Sequence, residues 1–175
     1  VALSMKVGMA KSKLERDPEG ARALLEEAHS DSKAAITQLR ELVRGIHPAV
    51  LTDRGLDAAV SALAARSAVP VTVNVDVPRV APNIESVAYF VVAEALSNMG
   101  KHAQATEGHV SITYMGGRMR IEVRDNGRGG AQLSTAGSTT GLAGLAHRVT
   151  AARGTFNVHS PVGGPTVITV ELPCE

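Results

Sequence analysis

The N-terminal part of the chain carries apolar residues at helical spacing. They follow one another in steps of three and four, which predicts one face of an amphipathic helix over residues 3–14: Leu3, Val7, Ala10 and Leu14. Residues 17–20, with the sequence Asp-Pro-Glu-Gly, interrupt this pattern. Pro18 suits the first turn of a new helix, because its missing N–H would have no partner there.

A second, longer helix of nearly coiled-coil period is predicted from Glu19 to Ile46. Its apolar positions again step by three and four between charged residues: Ala21, Leu24, Leu25, Ala28, Ser32, Ala35, Leu39, Leu42 and Ile46. Pro48 ends this helix. Two antiparallel helices with one apolar seam can complete a core by pairing with their own copy in a four-helix bundle. The alternative is a helical cap within one chain.

The rest of the chain alternates between helix and strand patterns. We predict helices over Gly55–Ser67, Asn83 or Ile84 to Ala103 and Gly141–Ala152, and strands over Val71–Val77, Val110–Met115, Arg118–Arg124, Thr155–His159 and Thr166–Leu172. This order indicates helices layered on one face of a mixed sheet. The predicted fold class is therefore α+β, with a dimerising helical hairpin over residues 1–47 and an α/β sandwich over residues 48–175.

Composition narrows the class of function. The 18 basic and 17 acidic side chains nearly cancel, and Tyr and Phe contribute only two residues each, so nucleic acid is not an expected partner. The single cysteine, Cys174, cannot form an internal disulfide, which fits a cytoplasmic setting. No apolar run approaches the roughly 20 residues of a membrane span, so we expect no membrane contact here.

The chain begins without an initiator methionine, within what the pattern predicts to be a helix. We therefore expect a fragment of a longer protein, and membrane anchoring of that parent stays open.

Two segments are candidates for contact with phosphate. Residues 125–130, Asp-Asn-Gly-Arg-Gly-Gly, follow a predicted strand, and glycine lets a backbone turn its amides toward a ligand. Residues 139–145 open a predicted helix, whose free amides and dipole favour anions. A mobile surface turn and an ordinary helix entry are the alternatives.

Polar side chains add to these segments. Glu94 and Asn98 are four residues apart on one helix face, and Lys101 and His102 follow a turn later on or beside it. Their oxygen and nitrogen groups could serve a hydrated Mg²⁺ and the phosphates that it bridges, or they could form a solvated surface. Asp125 could accept a hydrogen bond from the amino group of adenine, or could merely cap a turn.

In this order the motifs resemble those of bacterial sensor histidine kinases. Residues 94–103 resemble the asparagine box, residues 125–129 the first glycine box and residues 140–145 the second. Residues 44–51 resemble the junction between the helical and catalytic domains in the subfamily that pairs with response regulators carrying helix-turn-helix output domains. The resemblance spans essentially the whole chain.

The resemblance implies a role for each motif. Asn98 would hold Mg²⁺, with Glu94 as a further candidate ligand, and Glu94 would help to polarise the attacking group or a metal-bound water. Asp125 would bind the adenine amino group, and residues 132–140 would form a mobile ATP lid. The implied ATP-binding residues are Asn98, Lys101, His102, Asp125, Gly127, Gly129, Thr140, Gly141, Leu142 and Gly144.

The implied reaction is transfer of the γ-phosphoryl group of ATP to a histidine on the first helix of a homodimer formed through residues 1–47. Relay to an aspartate of the response regulator would follow. In the family an acidic residue follows that histidine, whereas the six histidines here precede Ser, Pro, Ala, Val, Arg and Ser. We therefore expect the acceptor to be absent and no autophosphorylation. Thr139 stands where the second glycine box commonly begins with glycine.

Two other functions remain open. A serine kinase of the anti-sigma-factor type shares the ATP-binding fold but lacks a preceding dimerisation hairpin. A dimerisation or interaction module without kinase activity is the non-enzymatic alternative.

Overall fold

The computed structural model describes residues 2–14, 16–29, 32, 49–131 and 141–174. It divides into two compact units, Val1–Ile46 and His47–Glu175. Three predicted features lie outside the described residues. They are the part of the long helix after residue 29 apart from residue 32, the end of that helix at Pro48, and the lid at residues 132–140.

The first unit contains two described helices, α1 (Ala2–Lys13) and α2 (residues 18–29). The Lys6 ammonium lies 3.2 Å from a Glu27 carboxylate oxygen and so connects them. Ala10, Ala21 and Ala28 are buried. The predicted apolar face is only partly buried, because three of its larger side chains are exposed in this chain: Val7 (46%), Leu14 (56%) and Leu25 (45%). Met5 (65%) and Met9 (44%), which lie outside that face, are exposed as well.

Asp17 caps the N-terminus of α2. Its Oδ1 accepts the Gly20 N–H at 2.9 Å, which satisfies one of the first amides of the helix. Its Oδ2 lies 3.0 Å from the Lys13 ammonium. The Gly20 hydrogen bond, followed by Lys13, lowers the pKa of Asp17 from its ordinary value of 3.8. Pro18 occupies the first turn, as predicted.

The second unit begins with α3 (Ala49–Ala64), six residues earlier than predicted. Gly55 lies inside this range with φ 81° and ψ −176°, so a kink divides it into two helical segments, and the second begins after Gly55, where the sequence predicts a helix start. Glycine is required because a side chain strains a backbone with positive φ. The predicted C-terminal end at Ser67 was also too late, because residues 65–66 form a turn.

Five strands form one mixed sheet, as predicted, in the order β1-β2-β3-β5-β4. The strands are β1 (Val71–Asp76), β2 (Gly108–Met115), β3 (Arg118–Asp125), β4 (Thr155–His159) and β5 (Thr166–Pro173). β1 runs parallel to β2, and the other neighbours are antiparallel. Gly116 and Gly117, with φ 59° and 75°, make the tight turn predicted between β2 and β3.

The core lies between one sheet face and a helix layer. Alternate residues of β2, β3 and β5 are buried, among them Val110, Ile121 and Val170. Above them lies α4 (Pro82–Asn98), flanked by α3 and by α5 (Gly141–Ala151). The predicted stripe of α4 is confirmed, since all its members are buried: Val87, Val91, Ala95 and Met99.

The helix predicted to reach Ala103 changes its geometry near the end. α4 stops at Asn98, and Met99–Ala103 form a π-helix that ends at Gln104 in the left-handed conformation. A π-helix closes i→i+5 rings and accommodates one more residue per ring than an α-helix, and such segments occur frequently at functional sites. The α-helical spacing used to place Lys101 and His102 therefore does not hold beyond Asn98.

A buried carboxylate ties the helix layer together. Glu85, 1% exposed, accepts hydrogen bonds through Oε1 from Arg79 Nε at 2.9 Å and from the Val80 N–H at 3.2 Å. The Arg79 guanidinium also donates to the Thr52 carbonyl in α3 at 3.3 Å. The Cδ atom of Arg79 lies beside Gly55, and a Cβ added to Gly55 would be 3.3 Å from it. This cluster joins the kink of α3 to the start of α4.

Within the part of the chain that the structure describes, no helix has both the length and the apolar composition needed to cross a membrane.

Removing Arg79 should leave the buried Glu85 charge without its cation. We expect Arg79→Ala to lower the free energy of unfolding by about 2–3 kcal/mol, less than for a fully buried pair because the Arg79 side chain is 56% exposed. Urea unfolding followed by circular dichroism measures the loss. Arg120→Ala is the matched control, because Arg120 pairs with Glu171 on the exposed sheet face and should contribute about 0–1 kcal/mol. Equal losses in the two variants would refute the role of the buried pair.

The Asp17 cap predicts an acid response of the hairpin. Because folding lowers the Asp17 pKa, its contribution to stability is present above the unfolded value and is lost as pH falls through the folded-state pKa. In an NMR titration the Gly20 amide shift should follow Asp17 with a midpoint below 3.8. Asp17→Asn retains a capping oxygen without a titrating charge, so the Gly20 shift should then stay flat. A midpoint at or above 3.8 contradicts the cap.

Candidate functional site

Asp125 is the buried polar residue at the end of β3. Its side chain is 7% exposed, and Oδ1 accepts the Gly127 N–H at 2.8 Å. The turn-capping role considered for Asp125 is therefore present in the structure. No described residue hydrogen-bonds Oδ2. One carboxylate oxygen thus fixes the turn while the other can accept a hydrogen bond from a ligand.

The glycine-rich loop after Asp125 lies against the end of the π-helix. The Arg128 N–H donates to the Ala103 carbonyl at 2.9 Å, and Arg128 Nε donates to the His102 carbonyl at 3.0 Å. A Cβ at Gly127 would overlap the Ala103 carbonyl. Close approach of two main chains therefore excludes a side chain at Gly127, and the loop is fixed beside the helix end.

The same loop lies against the turn that joins β4 to β5. The Gly163 N–H donates to the Arg128 carbonyl at 2.7 Å, and the Gly130 N–H donates to the Ser160 carbonyl at 3.1 Å. Gly129, with φ 62°, has no room for a Cβ because the carbonyls of Pro161 and Gly164 occupy that space. The loop therefore lies between two main-chain segments of fixed position.

Glu94 and the start of α5 meet on the other side of the site. Glu94 and Asn98 are half-buried on α4, and a Cβ at Gly141 would overlap Glu94 Oε1. The carboxylate therefore lies directly against the first turn of α5. Arg148 of α5 lies over the Phe90 ring of α4, 5.0 Å from its centroid, and holds the two helices together.

The predicted site residues differ in how exposed they are and in whether their side chains could reach a ligand. Lys101 and His102 are exposed on the π-helix, and Leu142 packs into the core with 8% exposure, so any ligand contact of Leu142 would come from its main chain. Gly144 is exposed, and a Cβ added there would meet no described atom within 4 Å, so no packing in the described structure requires glycine at this position. Thr140 and Thr139 lie outside the described residues.

Two polar residues of the site were missed from the sequence. Thr166, 9% exposed, is the register partner of Asp125 on β5, and Ser160 Oγ lies 2.9 Å from Thr166 Oγ1. Thr166 had a sequence signal, because it occupies an inward position in a strand whose other inward residues are Ile168, Val170 and Leu172. Ser160 had none, since it lies in a turn where polar residues are common.

The donor set fits magnesium better than a transition metal. Glu94 and Asn98 offer oxygen atoms four residues apart on α4, and Mg²⁺ prefers oxygen ligands together with retained waters. No group of three or more His, Cys, Asp or Glu side chains placed to hold a metal occurs among the described residues. Protein groups would therefore supply only part of a coordination sphere, as expected where substrate phosphates supply the rest.

Comparison with known proteins identifies the family of the chain. Residues 83–175 match the family described as "Histidine kinase-, DNA gyrase B-, and HSP90-like ATPase", and residues 1–51 match a family described as "Histidine kinase". The nitrate/nitrite sensor protein NarX of Escherichia coli is 30% identical over 87% of this chain, and the sensor histidine kinase YvfT of Bacillus subtilis is 26% identical over 89%. The chain spans 26% of NarX and 42% of YvfT.

Solved structures show the same fold. The histidine kinase domain of the Erythrobacter litoralis EL346 blue-light activated histidine kinase superposes with a TM-score of 0.55 at 19% identity, covering 98% of this chain and 95% of that one. The Acinetobacter baumannii histidine kinase AdeS gives a TM-score of 0.57 at 13% identity, covering 99% and 97%. With both family matches, this chain belongs to the sensor histidine kinases and comprises their catalytic ATPase region.

Proposed function

We propose that the chain binds Mg-ATP between α4, the glycine-rich loop and the start of α5, and transfers the γ-phosphoryl group to a histidine. The observation that carries the proposal is Asp125, which is buried at the end of β3 with one oxygen committed to the Gly127 amide and the other without a described partner. An exocyclic amino group is a complementary donor for that second oxygen. Adenine carries such a group.

The remaining predicted residues are proposed to complete the site around this base. Gly127 and Gly129 keep the loop close to the helix end and to the β4–β5 turn, where side chains would obstruct it. The first amides of α5, at Gly141 and Leu142, are proposed to bind phosphate together with Thr140 and Gly144. Lys101 and His102 are exposed cationic or polar groups that would reach phosphate oxygens.

Asn98 would hold Mg²⁺ through its amide oxygen, with Glu94 as a further ligand, and the ion would neutralise charge on the phosphates. Glu94 is also proposed to accept the proton of the attacking imidazole. In the transfer an imidazole nitrogen bonds to the γ-phosphorus while the bond to the bridging β-phosphate oxygen breaks, so that ADP leaves. Catalysis consists mainly of positioning and charge stabilisation.

The proposed phosphoacceptor is a histidine supplied from outside this sequence, because none of the six histidines here precedes an acidic residue. From it the phosphoryl group would pass to an aspartate of a response regulator with a helix-turn-helix output domain. The match of residues 1–51 to a histidine kinase helical family supports this pairing. ATP as the substrate places the proposed reaction in the cytoplasm.

We also propose that residues 1–47 form a homodimer. Met5 and Met9 lie four residues apart on α1, with 65% and 44% of their surfaces exposed. Exposed apolar side chains on one helix face are typical of a surface that packs against a partner helix.

The adenine assignment is tested by exchanging the acceptor oxygen of Asp125 for a donor. Asp125→Asn can retain the oxygen that caps Gly127 while presenting an NH₂ group to the ligand, so two donors would face each other. We expect the affinity for ADP, measured by calorimetric titration with Mg²⁺, to fall more than about tenfold. The affinity for IDP should fall less, because hypoxanthine presents a carbonyl oxygen where adenine has its amino group.

Asp76→Asn is the control, because it removes an exposed carboxylate from the end of another strand of the same sheet. It should bind ADP as the original chain does. Unchanged ADP affinity in Asp125→Asn would overturn the adenine assignment. Absence of nucleotide binding by the folded original chain would instead favour an interaction module without kinase activity.

The dimer proposal is tested by placing charge on the exposed face of α1. The double variant Met5→Glu/Met9→Glu should weaken self-association by more than about tenfold, because burying carboxylates without partners is costly. Sedimentation equilibrium over a range of protein concentrations measures the change. Lys11→Glu is the control, since it alters net charge by the same two units on another part of the helix and should associate normally. A monomeric original chain contradicts the proposal.

A further inference from the structure

The turn between β4 and β5 forms one wall of the candidate site, although none of the kinase motifs includes it. Three main-chain contacts join it to residues 128–130: Gly163 N–H to the Arg128 carbonyl, Gly130 N–H to the Ser160 carbonyl, and Gly129 packed against the Pro161 and Gly164 carbonyls. The position of the glycine-rich loop therefore depends on this turn as much as on the π-helix.

Ser160 contributes the side chain of this wall. Its hydroxyl oxygen accepts the Ala131 N–H at 3.0 Å and lies 2.9 Å from Thr166 Oγ1. Ala131 directly precedes residues 132–140, and Thr166 is the register partner of Asp125. One half-buried hydroxyl thus contacts both the end of the glycine-rich loop, at Ala131, and Thr166, the strand neighbour of Asp125.

The hydrogen-bonding capacity of the two hydroxyl groups limits how the contact between Ser160 and Thr166 can be made. A serine hydroxyl has one proton to donate and two lone pairs that can accept. Ala131 occupies one lone pair, so Ser160 can either donate its proton to Thr166 or accept the Thr166 proton on its second lone pair. When Ser160 donates, the Thr166 proton is available for an acceptor in the space beside Asp125. Hydrogen bonds in such a chain polarise one another and strengthen together.

We propose that Ser160 is a positioning residue for the nucleotide. It orients the Thr166 hydroxyl beside Asp125 and, through the same oxygen, holds Ala131 at the point where the predicted lid begins. Occupation of the base site is thereby coupled to the position of the glycine-rich loop. This inference rests on the proposed nucleotide site and adds to it a residue outside the kinase motifs.

A serine that only stabilised its own turn would behave differently. Its removal would lower the stability of the protein but would leave the nucleotide affinity of folded molecules unchanged. A positioning residue affects affinity, and a substitution that restores the hydroxyl restores the affinity. Nucleotide binding and stability therefore have to be measured separately in the same variants.

The experiment uses the full chain with ADP as the probe. Ser160→Ala removes the hydroxyl, and Ser160→Cys keeps a similar shape with a much weaker hydrogen-bonding group. Calorimetric titration should show an affinity for ADP about tenfold lower in both, because neither variant would orient the Thr166 hydroxyl or hold Ala131 in place. Ser160→Thr retains the hydroxyl at the residue that follows β4, and its affinity for ADP should stay within about twofold of the original value.

Two further measurements separate positioning from stability. Amide hydrogen exchange at Ala131 should accelerate in Ser160→Ala and Ser160→Cys and return to its original rate in Ser160→Thr. Ser61→Ala is the matched control, because Ser61 hydrogen-bonds Asp57 on the exposed side of α3, and it should change neither ADP affinity nor Ala131 exchange. Circular dichroism establishes that each variant is folded before titration.

The outcomes distinguish this inference from the function on which it rests. An original chain that fails to bind ADP would overturn the proposed nucleotide site. An original chain that binds ADP, together with Ser160→Ala and Ser160→Cys variants of the same affinity, would overturn the positioning role alone. Equal losses in Ser160→Ala and Ser160→Thr would also overturn it, because the hydroxyl would then not be the group responsible.

Discussion

The sheet of the second unit buries one of its faces, and α4 is the helix that covers the centre of that face. Every described part of the candidate site takes its position from this packing. The end of α4 carries Glu94 and Asn98, and the π-helix that continues it receives the glycine-rich loop after Asp125. Arg148 holds α5 on α4 through the Phe90 ring, which brings the first turn of α5 against Glu94. A shift of α4 on the sheet would therefore displace the base site and the phosphate site together.

Close approach of main chains is the second determinant of the site. Gly127, Gly129 and Gly141 each occupy a position where a Cβ would overlap a neighbouring oxygen. Carbonyls of the π-helix and of the β4–β5 turn account for two of these contacts, and a carboxylate accounts for the third. Such a site is built largely from main-chain amides and carbonyls of the glycine-rich loop, the π-helix and the β4–β5 turn. Contacts among these segments orient the groups before a ligand arrives. Fixed dipoles of this kind stabilise charge without reorganising during the reaction.

The regular elements of this fold could be predicted from the sequence because one-sided burial leaves a periodic pattern. Alternation located β1 to β5, and the stripe from Val87 to Met99 located α4. The kink at Gly55 and the π-helix at residues 99–103 break that periodicity, and they depend on tertiary contacts such as Arg79 beside Gly55. Glu85 and Thr166 were detectable in principle, since each is a polar residue at an apolar position. Ser160 was not, because its role depends on elements far apart in the chain.

The buried hydrophobic positions among the described hairpin residues are all alanines, namely Ala10, Ala21 and Ala28, whereas five larger apolar side chains are exposed: Met5, Val7, Met9, Leu14 and Leu25. A buried methyl group contributes only about 0.8 kcal/mol, so these positions supply little free energy toward ordering two helices. Among the described residues, further free energy would come from whatever covers Met5, Met9 and Leu25. In the proposed dimer, formation of the hairpin would then be linked to association by mass action. Dilution would then loosen the helices at a protein concentration that leaves the ATPase fold intact.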